Sequence, residues 1–291
     1  MIVSGDTTAF RNSHWITVIK FVSAGIIIIL CLLFPSDGKG KWISVFGDRV
    51  LGSENSPAGD TVWKEHNGYC YCVKRGKKLK GLKTEGGKTY YFDSRGRQKT
   101  GWRKVSNRYC YFTIKNGAEG CLVKGKTVNG ITIDKTGTAQ ATANTKAKLS
   151  LLIRYQQLAD RLVKPAADEK EKLIRVFLYA RKSRRGVTPE PGYSGRWDEK
   201  MAASFLNLGY GDCLGKAAAF AYLANALGYK KVTLVRNGHA FVTFGKRIYE
   251  VSLAVPKAGM SDLVYFGRKY TAKIVSWHAA QVRKKMPHRV I

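Results

Sequence analysis

The chain has 291 residues, 44% of them apolar, with 51 lysines and arginines against 20 aspartates and glutamates, a formal net charge of +31. This apolar content excludes general disorder, and the length allows two domains with a sizeable core. The charge draws such a chain to polyanions: nucleic acid, anionic lipid or the acidic polymers of a cell wall.

The N-terminus narrows that choice. Residues 1–14 read as a cytoplasmic segment and 15–34, WITVIKFVSAGIIIILCLLF, as a transmembrane anchor or signal segment, broken only by Lys20. Four successive isoleucines and the Leu-Cys-Leu-Leu-Phe run leave no polar face, so a single membrane helix is expected. The following PSDGKGKW offers no small-x-small cleavage site, which favours an uncleaved anchor over secretion after cleavage. Leu30 before Cys31 argues against a lipoprotein site. The body of the protein is expected outside the cell, which leaves no specific nucleic acid among its partners. Residues 35–62, rich in Gly, Ser, Pro and Asp, read as a linker.

Residues 63–139 repeat with a period of about 20 residues. Units start at Trp63, Leu82, Trp102 and Cys121, with Gly81, Gly101 and Gly120 directly before the last three, and hold the β runs NGYCYCV, GGKTYYF, NRYCYF and NGITI. Hairpins this short cannot bury a core alone and must stack into an all-β solenoid. The stretch, notably KTYYFDSRGRQKTGW, resembles the cell-wall-binding, choline-binding-type repeats of bacterial surface proteins. That resemblance implies binding of a wall polymer through aromatic clefts between hairpins, where rings hold sugars or a quaternary ammonium. Trp63, Tyr71, Tyr90, Tyr91, Trp102 and Tyr111 are the candidate rings; such rings also serve simply to pack hairpins together. The abundant lysines favour an anionic glycopolymer over choline itself. Cys70, Cys72, Cys110 and Cys121 allow three disulfide pairings, between which the sequence does not choose, or serve as reduced packing residues. Their spacing lacks the paired knuckles of a zinc site.

GCLVKGKT at Gly120–Thr127 fits the phosphate-loop pattern, but that chemistry needs a helix after the loop. The adjoining VNGITIDKTG reads as a hairpin in repeat register, so no nucleotide site is expected.

From Thr145 the composition turns helical. Leu149, Leu152, Ile153, Tyr155, Leu158 and Leu162 predict one amphipathic helix, Leu173 to Tyr179 a second, and Trp197 to Leu208 a third. The loop RRGVTPEPGYSG is placed to border a cleft, and Tyr210 either polarises a carbonyl or packs. The alanine-rich run to Leu227, stopped by Gly228, predicts a helix whose first turn holds Cys213. Unpaired N–H groups and the helix dipole there favour a thiolate, the nucleophilic form. Strand periodicity then returns: Val232 and Leu234, a turn at Asn237-Gly238, then His239, Phe241 and Thr243. With Gly245-Lys246 as a two-residue turn into a strand from Arg247 to Leu253, Phe241 faces Glu250 and His239 faces Ser252. His239 and Glu250 are then diagonal neighbours on one face, a base beside an orienting acid. In the tail, VYF and KIVSW are the candidate closing strands, and His278 and His288 read as surface residues.

YGDCLGKAAAFAYLANALGY, GHAFVTF and GKRIYEVSLA together resemble the transglutaminase-like (transglutaminase core) superfamily, over about Ala147 to Val255. The resemblance implies a papain-related α+β fold for residues 146–291, with Cys213 as nucleophile, His239 as base and Glu250 as orienter. Here Glu250-Val251 replaces the family's Asp-Pro, so Ser252 and Asp262 are further candidates for the third role. The expected function is a surface-anchored acyl-transfer enzyme, a peptidase or amidase or a protein cross-linker, acting on a peptide or protein and needing no metal or organic cofactor. The rival is a catalytically silent wall-binding adhesin or scaffold.

Overall fold

In a computed structural model of the chain, residues 61–114, 119–188, 192 and 195–291 are described in full, and of 16–23, 26–33 and 48–51 the backbone alone. The chain divides into two compact units, Met1–Leu79 and Lys80–Ile291.

In the first unit, the expected membrane helix is replaced by an antiparallel pair, Ile16–Ser23 with Ile26–Leu33. These runs are dominated by β-branched Ile and Val, whose stiff side chains suit an extended backbone. Residues 15, 24, 25 and 34 of the expected span lie outside the described residues, as does the whole of 1–14. Among the described residues no helix is long and apolar enough to cross a membrane. The expected linker contains a strand, Asp48–Leu51, which pairs with Thr61–His66; Tyr69–Lys74 and Lys77–Lys78 complete a four-stranded sheet. Asn67-Gly68 and Arg75-Gly76 join its strands with positive φ at both turn positions, the twist that tight hairpins require.

The second unit begins with the hairpins Gly81–Glu85/Lys88–Phe92 and Gly101–Val105/Arg108–Phe112. They stack through Tyr91 on Phe112, rings 5.9 Å apart, around Val105, Cys110, Leu82 and Leu122. Two identical turns punctuate them. Asp93 Oδ1 accepts from the N–H groups of Arg95 and Arg97, and Asp134 Oδ1 from those of Thr136 and Thr138, with Gly96 and Gly137 in matching places. Gly120–Thr127 runs into the hairpin Thr127–Val128/Ile131–Thr132, as the repeat register requires, rather than into a helix. Cys110 and Cys121 carry no disulfide.

Helix α1, Ala143–Leu162, opens on a capping box between Thr142 and Thr145. It joins the hairpins without a gap: Trp102, Ile131, Ile133 and Ala139 share one core with its Leu149, Leu152, Tyr155 and Leu158. Arg103 and Lys99 clamp Asp160 at 2.8 and 3.2 Å. At Gly101, φ +74°, an added Cβ would lie 1.9 Å from Gln156 Oε1, so glycine admits both the turn and the approach.

α2 (Glu169–Lys182), capped by Asp168, and α3 (Trp197–Leu208), closed by Gly209 in the left-handed region, surround α4 (Cys213–Ala226). Every α4 residue from Leu214 to Ala224 is buried. A helix apolar on all sides belongs in the centre, and its alanines let α1, α2 and α3 approach closely. One face of an antiparallel sheet covers α4. Its order is Arg268–Lys269, Arg247–Tyr249, Ala240–Phe244, Thr233–Arg236, His288–Val290. The opposite face carries Val235, Phe241 and Ile248 against Val264, Val275 and Ala279. The tail departs from expectation: Val264–Phe266 is a turn, and Lys273–Val275 is a 3-10 turn leading into α5, Ser276–Arg283. The closing strands are instead Arg268–Lys269 and His288–Val290, short edges that the apolar count does not mark.

Candidate active site

The site forms where α4 begins and the central strands turn. Asp212 is the N-cap of α4, its carboxylate accepting from Gly215 N at 2.8 Å and from the buried Thr188 hydroxyl at 3.0 Å. Cys213 is therefore the first helical residue, half-buried, beside N–H groups with no partner within the helix. Tyr210 packs: its ring lies against Gly186 and under the Arg184 guanidinium, 4.7 Å from the ring centre.

His239 sits in the bend before Ala240, its carbonyl accepting from Asn237 N at 2.8 Å. Val242 pairs with Tyr249 and Phe244 with Arg247, and both residues of the Gly245-Lys246 turn have positive φ. That register brings Glu250 to His239, with His239 Nε2 2.7 Å from Glu250 Oε2. The partner strand stops at Tyr249 instead of continuing to Leu253, because Glu250 bonds its own following backbone. Its Oε1 accepts from Ser252 N (2.6 Å), Ser252 Oγ (2.8 Å) and Leu253 N (3.1 Å).

Burial alone would lower the pKa of His239, but hydrogen bonds with Cys213 and Glu250, and the negative charge each can carry, push it up to about 10. Burial works against a charged Glu250, yet hydrogen bonds from His239 and His278 and the His239 charge hold it well below the usual carboxylate range. The structure thus sets His239 against Glu250, with Cys213 near enough to raise the His239 pKa. Of the other candidates for the third role, Ser252 serves Glu250 as a donor, and Asp262 is bound to Arg181 and Lys182 at 3.4 and 3.2 Å.

Sequence reasoning misplaced one residue. His278, expected on the surface, is 4% exposed, and its Nε2 lies 3.2 Å from Glu250 Oε2. On α5 it packs edge-on to Phe241, ring centres 4.9 Å apart. Its neighbour Trp277, 45% exposed, stands 6.1 Å from the His239 ring and borders the site. His239, Glu250 and His278 are of metal-ligating type and their ligand atoms lie within 4.8 Å of one another. The 2.7 and 3.2 Å separations are hydrogen-bond lengths, and His278 Nδ1 has no acceptor of the kind that orients a zinc-bound histidine. The trio therefore reads as a hydrogen-bonded set.

The repeat rings divide. Trp102 is 2% exposed, donates to Asn129 Oδ1 at 2.8 Å and meets the Tyr111 ring at 5.2 Å, so it is a core residue and not a ligand platform. Its indole fills the junction with α1. Burial pushes the Tyr111 hydroxyl up to about 12. Tyr71 is buried under the Lys78 ammonium, 3.9 Å away. Trp63, Tyr90 and Tyr91 are half-exposed.

Residues 79–120 match the choline-binding repeat family. No curated protein matches the chain. Among solved structures, the choline-binding domain of Spr1274 from Streptococcus pneumoniae is 22% identical, over 30% of this chain and 99% of that one, with a TM-score of 0.25. The pneumococcal cell wall endolysin from phage Cp-1, complexed with choline, is 23% identical over 31% of this chain and 27% of its own, TM-score 0.24. Truncated alternansucrase from Leuconostoc mesenteroides is 25% identical over 33% and 8%, TM-score 0.25. This chain therefore spans nearly all of the first but a minor part of the other two. The matched residues hold the two hairpins Gly81–Phe92 and Gly101–Phe112, and over that stretch the chain is similar to choline-binding repeats.

Proposed function

We propose that this is a wall-attached protein whose hairpins hold a cell-wall polymer and whose C-terminal half is a cysteine-nucleophile acyl-transfer enzyme of the transglutaminase-like class. The wall reading is supported by the family match over 79–120 and by the formal charge of +31, which suits an anionic glycopolymer bearing choline or sugars. The enzymatic reading is carried by one observation: His239 Nε2 lies 2.7 Å from the carboxylate of a fully buried Glu250, and Cys213 and Glu250 together raise the His239 pKa. In the reaction, His239 already holds the Cys213 proton as an imidazolium, its pKa raised by Cys213 and Glu250, and the thiolate sulfur attacks an amide carbonyl. The imidazolium, held by Glu250, then protonates the leaving amine. Water or a lysine amine takes the acyl group from the thioester, giving peptidase or amidase activity in one case and cross-linking in the other. Residues 146–291 would then be a papain-related fold.

A second reading, a wall-binding adhesin or scaffold with a silent site, has the family match behind it, because that match covers the hairpins and not Cys213.

The test uses the full chain. Co-sedimentation with purified wall, released by free choline or by salt, reads the hairpins; iodoacetamide alkylation of Cys213 against pH, with His239→Ala beside wild type, reads the site. Pelleting with a slow Cys213 that ignores His239 would establish the adhesin. No pelleting at any salt concentration would remove the wall from the function.

A further inference from the structure

We propose that His278 is a positioning residue of the Cys213 site, donating a second N–H to Glu250 and thereby fixing the carboxylate that aligns His239. The inference rests on the acyl-transfer reading and deepens it.

The donors to Glu250 Oε1, Ser252 and Leu253, belong to the segment directly after it and move with it. They cannot define where Oε2 points relative to the rest of the fold. A terminal carboxylate torsion is soft, so a single bond to His239 leaves the pair free to shift together. His278 supplies the missing reference. It comes from α5, a separate element packed on the sheet, and reaches Oε2 at 3.2 Å. Phe241 and Trp277 hold its ring at edge-on angles of 88° and 90°.

The proton on His278 is assigned by the same geometry. Its Nδ1 is buried with no hydrogen-bond partner, so a proton there would leave an orphan donor. Nε2, facing the carboxylate, therefore carries the proton that is donated to Glu250. His239 remains the base.

The experiment compares full-length wild type, His239→Ala, His278→Leu and His278→Gln, whose amide can still donate to Glu250. Site-resolved alkylation of Cys213 is followed from acid to alkaline pH, with melting curves to verify folding. Expected for His278→Leu is a displaced pH profile and a loss at neutral pH of roughly tenfold to a hundredfold, the range of one hydrogen bond to a charged group. His278→Gln should recover much of it. A folded His278→Leu with the wild-type profile overturns the inference alone, whereas wild type and His239→Ala reacting alike overturn the acyl-transfer reading with it. Should His278→Leu not fold, nitrogen NMR of wild type decides: a His278 proton on Nδ1 refutes the proposal, and one on Nε2 supports it.

Discussion

Glu250→Gln exchanges a fully buried carboxylate for an amide of the same shape. The three donors at Oε1, at 2.6, 2.8 and 3.1 Å, keep the amide oxygen on their side. The amide nitrogen then faces His239 and His278, whose Nε2 atoms lie 2.7 and 3.2 Å from that position, donor against donor. Removing one partner of a buried ion pair costs roughly 3–5 kcal/mol. His239, held up to about 10 against its burial by Cys213 and Glu250, loses one of those two supports and titrates closer to the ordinary 6.5. A histidine whose pKa is raised in the fold stabilises it fully below its unfolded value, and that stabilisation is lost as pH rises through the folded value. Wild type should therefore lose stability between pH 6.5 and about 10, and Glu250→Gln should show a flatter alkaline limb from a lower starting point. NMR titration of the His239 ring with denaturant unfolding across that range measures both. Equal His239 midpoints in the two proteins, or parallel stability curves, would refute the reasoning.

On the acid side the sign reverses: Glu250, held low, stabilises above its ordinary 4.5, so wild type should lose stability as pH falls below that value while Glu250→Gln does not, a difference seen in acid unfolding curves. Gly101→Ala should cost about 1–3 kcal/mol, from the left-handed φ and the Gln156 contact, and lower the melting temperature by several degrees; adding Gln156→Ala should recover the steric part, and an unchanged melting temperature would contradict the junction. Trp102→Ala should cost roughly 3–5 kcal/mol as a core truncation and slow Cys213 alkylation at temperatures where the variant melts, whereas a wall-binding loss with unchanged stability would return Trp102 to the ligand rings.

The site was legible because its signals are local. The alanine run stopped by Gly228 puts Cys213 in the first turn of α4, and Gly245-Lys246 fixes the strand register, so the meeting of His239 and Glu250 follows from period and turn length alone. His278 was hidden because SWHAAQVR has weak apolar periodicity and its role depends on α5 folding over the sheet. The tail strands were misplaced for the same reason: Val264 and Val275 are apolar as core residues of turns and helix starts, not as strand alternation. In the repeats, spacing marked the hairpins correctly but could not tell a platform ring from a packing ring. Trp102 stands among the candidate ligand rings because nothing in its hairpin announces that α1 covers it.

Trp102, Ile131 and Ile133 lie in the same core as α1 and α4, so the hairpins from Gly81 onward are not a detachable tag. Whatever those hairpins bind in the native state adds its binding free energy to the unfolding of the very body that carries Cys213, by mass action and without any change of shape. A polymer held by these hairpins would then set the heat and protease tolerance of the Cys213 unit, which off it would stand on its intrinsic stability alone.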